Sequence, residues 1–412
     1  MGKIQGHVIK QIYKENWETF YESHKEQIRP VVIREVEKML KCMDIEHGYT
    51  EYKCYTCGET KKVGFSCKSR LCTSCGKVST DNWIEEVSED IMPVAHRHAV
   101  FTIPEELRYV FLKDRSLLKC LPDLAAQVIK DWYKGISKKK EYTPGIIAAI
   151  HTFGRDLKWN PHVHLLITEG AMDKEGNFKK MDYIHYGVLR KTWQYLLLTE
   201  IQKRFKKDIE IRKIISKLFK EKEKGLYVYA KGRMFNAKGA VRYIGRYVSR
   251  PAIAESRIKG YDGKEVTFYY ERHEDGEKVE VTLSAEEFIK KVIRHIPDSQ
   301  FKMVRYYGIY SRRSKQKVRE FLTYEQKQKK MKRKKLNWQR RIQKAFGHDP
   351  LQCINCGNGM ELYDIYYPKY GSIIKLIEKR MMSAIEKETK RYEEMQKSLI
   401  ERYGESYLPL YL

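Results

Sequence analysis

The sequence predicts an α+β protein in which strands and helices are mixed along the chain, with an N-terminal metal-binding region and a basic, mainly helical C-terminal region. Three observations lead there. Apolar runs of strand length, HAVFTI (98–103), IIAAIHTF (146–153) and HVHLLIT (162–168), are separated by turn signals. GVLRKTWQYLLLTEIQKRF (187–205) spaces its apolar residues as a helix does. Two CxxC pairs precede the first of those strands.

In chain order, a helix is expected over Trp17 to Met43, with Val31, Val32, Val36, Met39 and Leu40 on one face. The cysteine pairs follow, then a helix from about Thr80 that stops near Pro93. HAVFTI ends at Pro104, and helices are expected over 105–120 and 122–135. IIAAIHTF and HVHLLIT read as two strands of a wide hairpin joined by GRDLKWNP. LYVYA (226–230) reads as a strand, and KGAVRYIGRYVSR (238–250) as a helix stopped by Pro251. EVTFYYER and EKVEVTL form a hairpin around Asp275-Gly276, and Ser284 with Glu287 makes a capping box for a helix reaching His295. Three segments result: 1–90, helical and metal-binding; 91–300, strand-rich; and 301–412, basic, with a lone CxxC.

The formal charge of +27 is the first functional clue. Self-repulsion on that scale is tolerated where a polyanion is the usual neighbour. The excess peaks between Arg312 and Lys344, and 30 tyrosines suit stacking on unpaired bases. No apolar run is long enough to span a bilayer and the start has no apolar signal core, so a soluble, intracellular protein without a membrane partner is expected. The charge does not choose DNA over RNA.

The nine cysteines cluster. Cys54/Cys57 and Cys72/Cys75 are CxxC pairs, each followed by glycine (Gly58, Gly76), and two such pairs complete a tetrahedral Zn²⁺ site. Cys67, Cys42 and His47 are spare thiols or ligands of a second zinc. Cys353/Cys356, followed by Gly357, lacks a neighbouring pair, although His348 is close in sequence.

His162 and His164 alternate on one strand, so both imidazoles face the same way while Val163 enters the core. Such a pair suits a divalent cation; a third ligand is open between Asp156, across the hairpin loop, and His98. His96/His98 is a second HxH of equal spacing. Tyr243 and Tyr247, four apart on a helix, can enter one cleft, with Arg242, Arg246 and Arg250 as a parallel cationic stripe. A phenol flanked by guanidiniums suits attack on a phosphodiester. Tyr306/Tyr310 and Tyr366/Tyr370 share the spacing, so spacing alone does not select the pair.

Taken in order, these segments resemble the insertion sequence ninety-one family of rolling-circle transposases, two-tyrosine members of the HUH endonuclease superfamily. CYTCG…FSCKSRLCTSCG resembles that family's zinc-binding region and HAVFTIPEELR its first strand. HTFGRDLKWNPHVHLLITEG resembles its HUH motif, AVRYIGRYVSRPAIAESRI its two-tyrosine motif, and EFIKKVIRHIPDSQFKMVRYYGIYSRR the segment that follows. The match runs from about residue 40 to 315 and departs at Asn160, where the family is expected to carry histidine. The resemblance implies an antiparallel-sheet HUH nuclease core with helices packed on it. It implies Mg²⁺ or Mn²⁺ on His162 and His164, structural Zn²⁺, and Tyr243 and Tyr247 as nucleophiles that cut and rejoin single-stranded or hairpin transposon ends. Transfer to target DNA would follow, and dimerisation is left open. The competing readings are a plasmid replication initiator or relaxase of the same chemistry, and a non-enzymatic zinc protein that binds nucleic acid.

Overall fold

A computed structural model describes residues 7–403, except 182, 247, 249, 250, 273, 274, 325 and 328–337. It divides into two compact units, one of residues 1–40 and 68–348 and one of residues 41–67 and 349–412. This partition differs from three consecutive segments because strands far apart in sequence share a sheet. The N-terminal strands are β1 (Tyr49–Lys53) and β2 (Thr60–Gly64). Then come β3 (His96–Thr102), β4 (Thr143–Phe153), β5 (Trp159–Met172), β6 (Phe178–Lys180) and β7 (Val228–Met234). A three-stranded sheet uses β8 (Ile258–Tyr261), β9 (Glu265–Glu271) and β10 (Lys278–Ser284). Last are β11 (Val304–Gly308), β12 (Glu361–Tyr367) and β13 (Gly371–Ser372).

The first unit is built on an antiparallel sheet of order β11-β4-β5-β3-β7, with β6 added alongside β5. Alternation sorts its side chains. Val163, Leu165, Ile167, Phe101, Ile146, Ala148 and Ile150 enter one core, which helices Glu105–Lys113, Leu121–Ile136, Tyr186–Arg204 and Ile209–Glu221 cover. Trp193, wholly buried there, meets Phe101 edge-on at 5.3 Å and donates its indole N–H to the Thr102 carbonyl. Ile147, Ala149 and Leu166 line the opposite face, closed by Ala240, Val241 and Ile244 of helix Ala237–Gly245 and by Val87 and Ile91.

Three expected helices are redrawn. The one expected over 17–43 is two, Val8–His24 and Pro30–Leu40, because Pro30 has no N–H to continue the first and its ring excludes helical backbone from Arg29. The helix expected from Thr80 begins at Thr73 and runs to Asp90, taking in Cys75 and Gly76. Helix 238–250 ends at Gly245, where a side chain would press into Ile84 at 2.5 Å. The hairpin β9–β10 and the Ser284/Glu287 capping box are as expected, the box heading helix Ala285–Ile293.

The second unit holds a four-stranded antiparallel sheet of order β13-β12-β1-β2. The C-terminal region, in which helix accounts for most of the described residues, also contributes the strands β12 and β13 to this sheet. Helix Ile373–Tyr403 follows and is largely exposed. Among the described residues no helix is long and apolar enough to cross a membrane.

Candidate metal and nucleophile site

Three imidazoles converge on the sheet face beneath helix Ala237–Gly245. β5 carries His162 and His164, and its register with β4 sets His151 directly opposite His162. One ring nitrogen from each of these three histidines lies within 4.8 Å of the others, and the Nε2 atoms of His162 and His164 are 3.0 Å apart. The third group of the cluster is therefore His151, and neither expected candidate takes its place. Asp156 turns onto its own loop, accepting the Lys158 backbone N–H at 3.1 Å and pairing with the Lys158 ammonium. His98, on β3, stands one layer back, with its Nε2 2.9 Å from Nδ1 of His164.

The outer nitrogens of His162 and His164 are engaged, which turns their Nε2 atoms toward each other. Nδ1 of His162 lies 2.6 Å from the Asn160 carbonyl, so it carries the proton and donates, which leaves Nε2 as an acceptor 3.0 Å from His164 Nε2. Burial pushes the His162 imidazolium down to about 4, and burial together with His162, His151 and His98 holds His164 well below its ordinary value. Three converging imidazoles, two of them held neutral, are a donor set that suits a divalent cation. Of the cations the sequence suggests, nitrogen donors suit Mn²⁺ better than oxygen-seeking Mg²⁺.

Tyr243 reaches the same face. Asn236 caps the N-terminus of its helix through the backbone N–H groups of Lys238 and Gly239, and Val241 and Ile244 anchor it on the sheet. Tyr243, half-buried, meets the His98 ring edge-on at 4.7 Å, and the Arg246 guanidinium lies over its ring at 5.0 Å. Arg242, on the last turn, is exposed. Tyr247 and Arg250 lie outside the described residues.

The rival motifs of equal spacing have other uses. Tyr310 is buried with its hydroxyl 2.7 Å from His96 Nε2, and Tyr306 accepts the indole N–H of Trp83. Tyr366 stacks on Tyr49 in the second unit. His96 is fixed between the Val94 carbonyl and Tyr310, so of the second HxH only His98 approaches the cluster. Arg97, between them, pairs with fully buried Glu169 on the opposite face.

The cysteines are distributed differently from the expectation. Cys54 and Cys57 are joined by Cys353 and Cys356, not by Cys72 and Cys75, and the four sulfurs lie within 4.8 Å of one another. Cys72 stands just before the helix Thr73–Asp90 in the first unit and Cys75 lies on its first turn; Cys42 and Cys67 belong to the second unit. His47 is turned to Asp44, 3.2 Å away. The spacing rule found each pair but could not join them, because the partner pair stands at the other end of the chain.

Comparison with known proteins points one way. The family described as "Transposase zinc-binding domain" matches residues 12–103, and the family described as "Putative transposase" matches residues 145–317. The chain is 31% identical over 299 residues to "Transposase for insertion sequence element IS801" of Pseudomonas savastanoi pv. phaseolicola, covering 69% of this chain and 72% of that protein. It is 26% identical over 285 residues to "Putative transposase y4qJ" of Sinorhizobium fredii, covering 65% and 71%. No solved structure matches the chain.

Proposed function

The chain belongs to the IS91 family of transposases, and from that premise we propose that it nicks and rejoins single-stranded DNA at transposon ends through a phosphotyrosine intermediate. The observation that carries the reading is the meeting of three imidazoles, His151, His162 and His164, with a half-buried phenol, Tyr243, on one face of one sheet. These features make the core an HUH nuclease core in this reading. The expected DNA is unpaired or hairpin end DNA, and the +27 charge favours it electrostatically.

In the proposed cycle the Tyr243 hydroxyl oxygen attacks the scissile phosphorus and loses its proton. The P–O3′ bond breaks, the 3′ oxygen takes up a proton, and a 5′-phosphotyrosine remains. Arg246 and Arg242 offset the charge that builds on the phosphate oxygens. A divalent cation bound by the three imidazoles would polarise the phosphate as a Lewis acid. The Asn160 carbonyl holds His162 in the tautomer that leaves its inward Nε2 an acceptor, and His98 positions the His164 ring through Nδ1. Attack of a 3′-hydroxyl on the phosphotyrosine reverses the chemistry and releases the phenol, so religation needs no nucleotide cofactor. Tyr247 would serve a second strand transfer.

The test is a covalent-adduct assay with labelled single-stranded end DNA and Mn²⁺. The wild type is expected to give a protein–DNA adduct, and Tyr243→Phe/Tyr247→Phe none. Adduct formed by that double variant would remove the tyrosines from the mechanism, and normal cleavage by His162→Ala/His164→Ala would remove the metal site.

A further inference from the structure

The second unit repeats one small motif at two distant places. At Cys54–Gly58 the Gly58 backbone N–H donates to the Cys54 carbonyl at 2.8 Å, and the Cys54 N–H to Glu59 O at 2.8 Å. At Cys353–Gly357 the Gly357 N–H donates to the Cys353 carbonyl at 2.9 Å, and the Cys353 N–H to Asn358 O at 2.8 Å. Both glycines adopt left-handed backbone, φ 80° and 76°, which lets the chain fold back under its two thiols. Each loop contributes one buried and one exposed cysteine.

The two loops face each other. Cys54 Sγ lies 3.5 Å from Cys356 Sγ, and Cys57 Sγ lies 3.6 Å from Cys353 Sγ. A disulfide would need about 2.05 Å. Four thiolates around Zn²⁺, at Zn–S of about 2.3 Å, sit about 3.8 Å apart, close to what is found. The Asn358 side-chain amide donates to Cys356 Sγ at 3.5 Å, as a donor beside a thiolate does. The apolar cluster around the sulfurs is small: Cys54, Cys353 and Met360, with Tyr52 and Leu351 against them. So little buried surface leaves the sheet to be held by something stronger than packing. The zinc-binding family match ends at residue 103 and the other transposase match at 317, so neither reaches Cys353 or Cys356.

We propose that Cys54, Cys57, Cys353 and Cys356 bind a single structural Zn²⁺, making the C-terminal CxxC half of a ligand set whose other half is N-terminal. Nothing in this depends on the tyrosine chemistry. The adduct assay reads other residues, so the two ideas fail separately.

Differential alkylation of the zinc-loaded full-length protein, read by mass spectrometry, tests it without any substitution. All four cysteines are expected to resist iodoacetamide together and to become reactive together once a chelator is added. Labelling of exposed Cys356 at the free-thiol rate while Cys54 and Cys57 stay protected would overturn the proposal, as would free reactivity of all four. Metal content provides a second arm. Cys54→Ser/Cys57→Ser, Cys353→Ser/Cys356→Ser and the quadruple variant should each lose one equivalent of zinc relative to wild type, the same one. Loss of two equivalents in the quadruple variant against one in each pair would show that the pairs serve different ions and would equally overturn it.

Discussion

His98 meets His164 at 2.9 Å, Nε2 to Nδ1, on neighbouring strands of one sheet. His164 therefore has its outer nitrogen committed and its inner nitrogen facing His162. Removing a group that orients a metal-binding imidazole typically weakens metal binding about 10–100-fold. His98→Ala is accordingly expected to raise the Mn²⁺ dissociation constant by that factor, measured by calorimetry on the full chain. An unchanged constant would show that His98 only fills space beside Tyr243.

His151 and Asp156 make opposite predictions. His151 stands in the imidazole cluster and Asp156 is turned onto its own loop. His151→Ala should weaken Mn²⁺ binding more than His98→Ala does, whereas Asp156→Ala should leave it unchanged. The reverse order in the same titration would restore the carboxylate as the third ligand.

Arg97 and Glu169 form a paired guanidinium and carboxylate, with the Arg97 NH2 group 3.2 Å from Oε2 and Glu169 fully buried. Taking away one partner strands the other charge, which typically costs about 3–5 kcal/mol. Glu169→Ala should lower stability by about that amount in urea unfolding, with Glu169→Gln milder because its amide oxygen still accepts. A loss under about 1 kcal/mol for Glu169→Ala would mean that water or Tyr186 compensates Arg97.

Glu35 sets an acid limit. Burial works against its ionisation, but the Arg70 backbone N–H at 3.0 Å, Ser69 and Lys38 outweigh burial and hold the carboxyl below its ordinary value of 4.5. A pKa depressed in the folded state contributes stability that is present above the unfolded value and lost as pH falls through the folded one. The wild type should therefore lose stability progressively below pH 4.5, and Glu35→Gln should be less stable at neutral pH with a shallower acid limb. Parallel limbs in pH-dependent urea midpoints would refute this role.

What the sequence disclosed was local. Strand alternation already put His162 and His164 on one face with Val163 in the core. What stayed hidden was pairing between segments. IIAAIHTF was read as a strand, yet only the hairpin register sets its histidine opposite His162, so the third ligand was sought at Asp156 in the loop and at His98 instead. The helix predicted across Pro30 failed for a different reason: apolar periodicity can continue in phase on both sides of a break. Cys353 and Cys356 had the correct local signature and no visible partner, since nothing in spacing relates residue 57 to residue 353.

The chain visits the two compact units alternately, crossing at residues 40/41, 67/68 and 348/349. Neither unit is a contiguous stretch of sequence, so no single cut yields two complete folding units. Truncation after residue 348 removes half a sheet from the second unit and two of its clustered thiols. A fragment beginning after β2 lacks the other half, along with the first unit's two N-terminal helices. Work on isolated parts therefore calls for rejoined or circularly permuted chains, and a ribosome makes the second unit's last strands only after the entire histidine-bearing sheet has been synthesised.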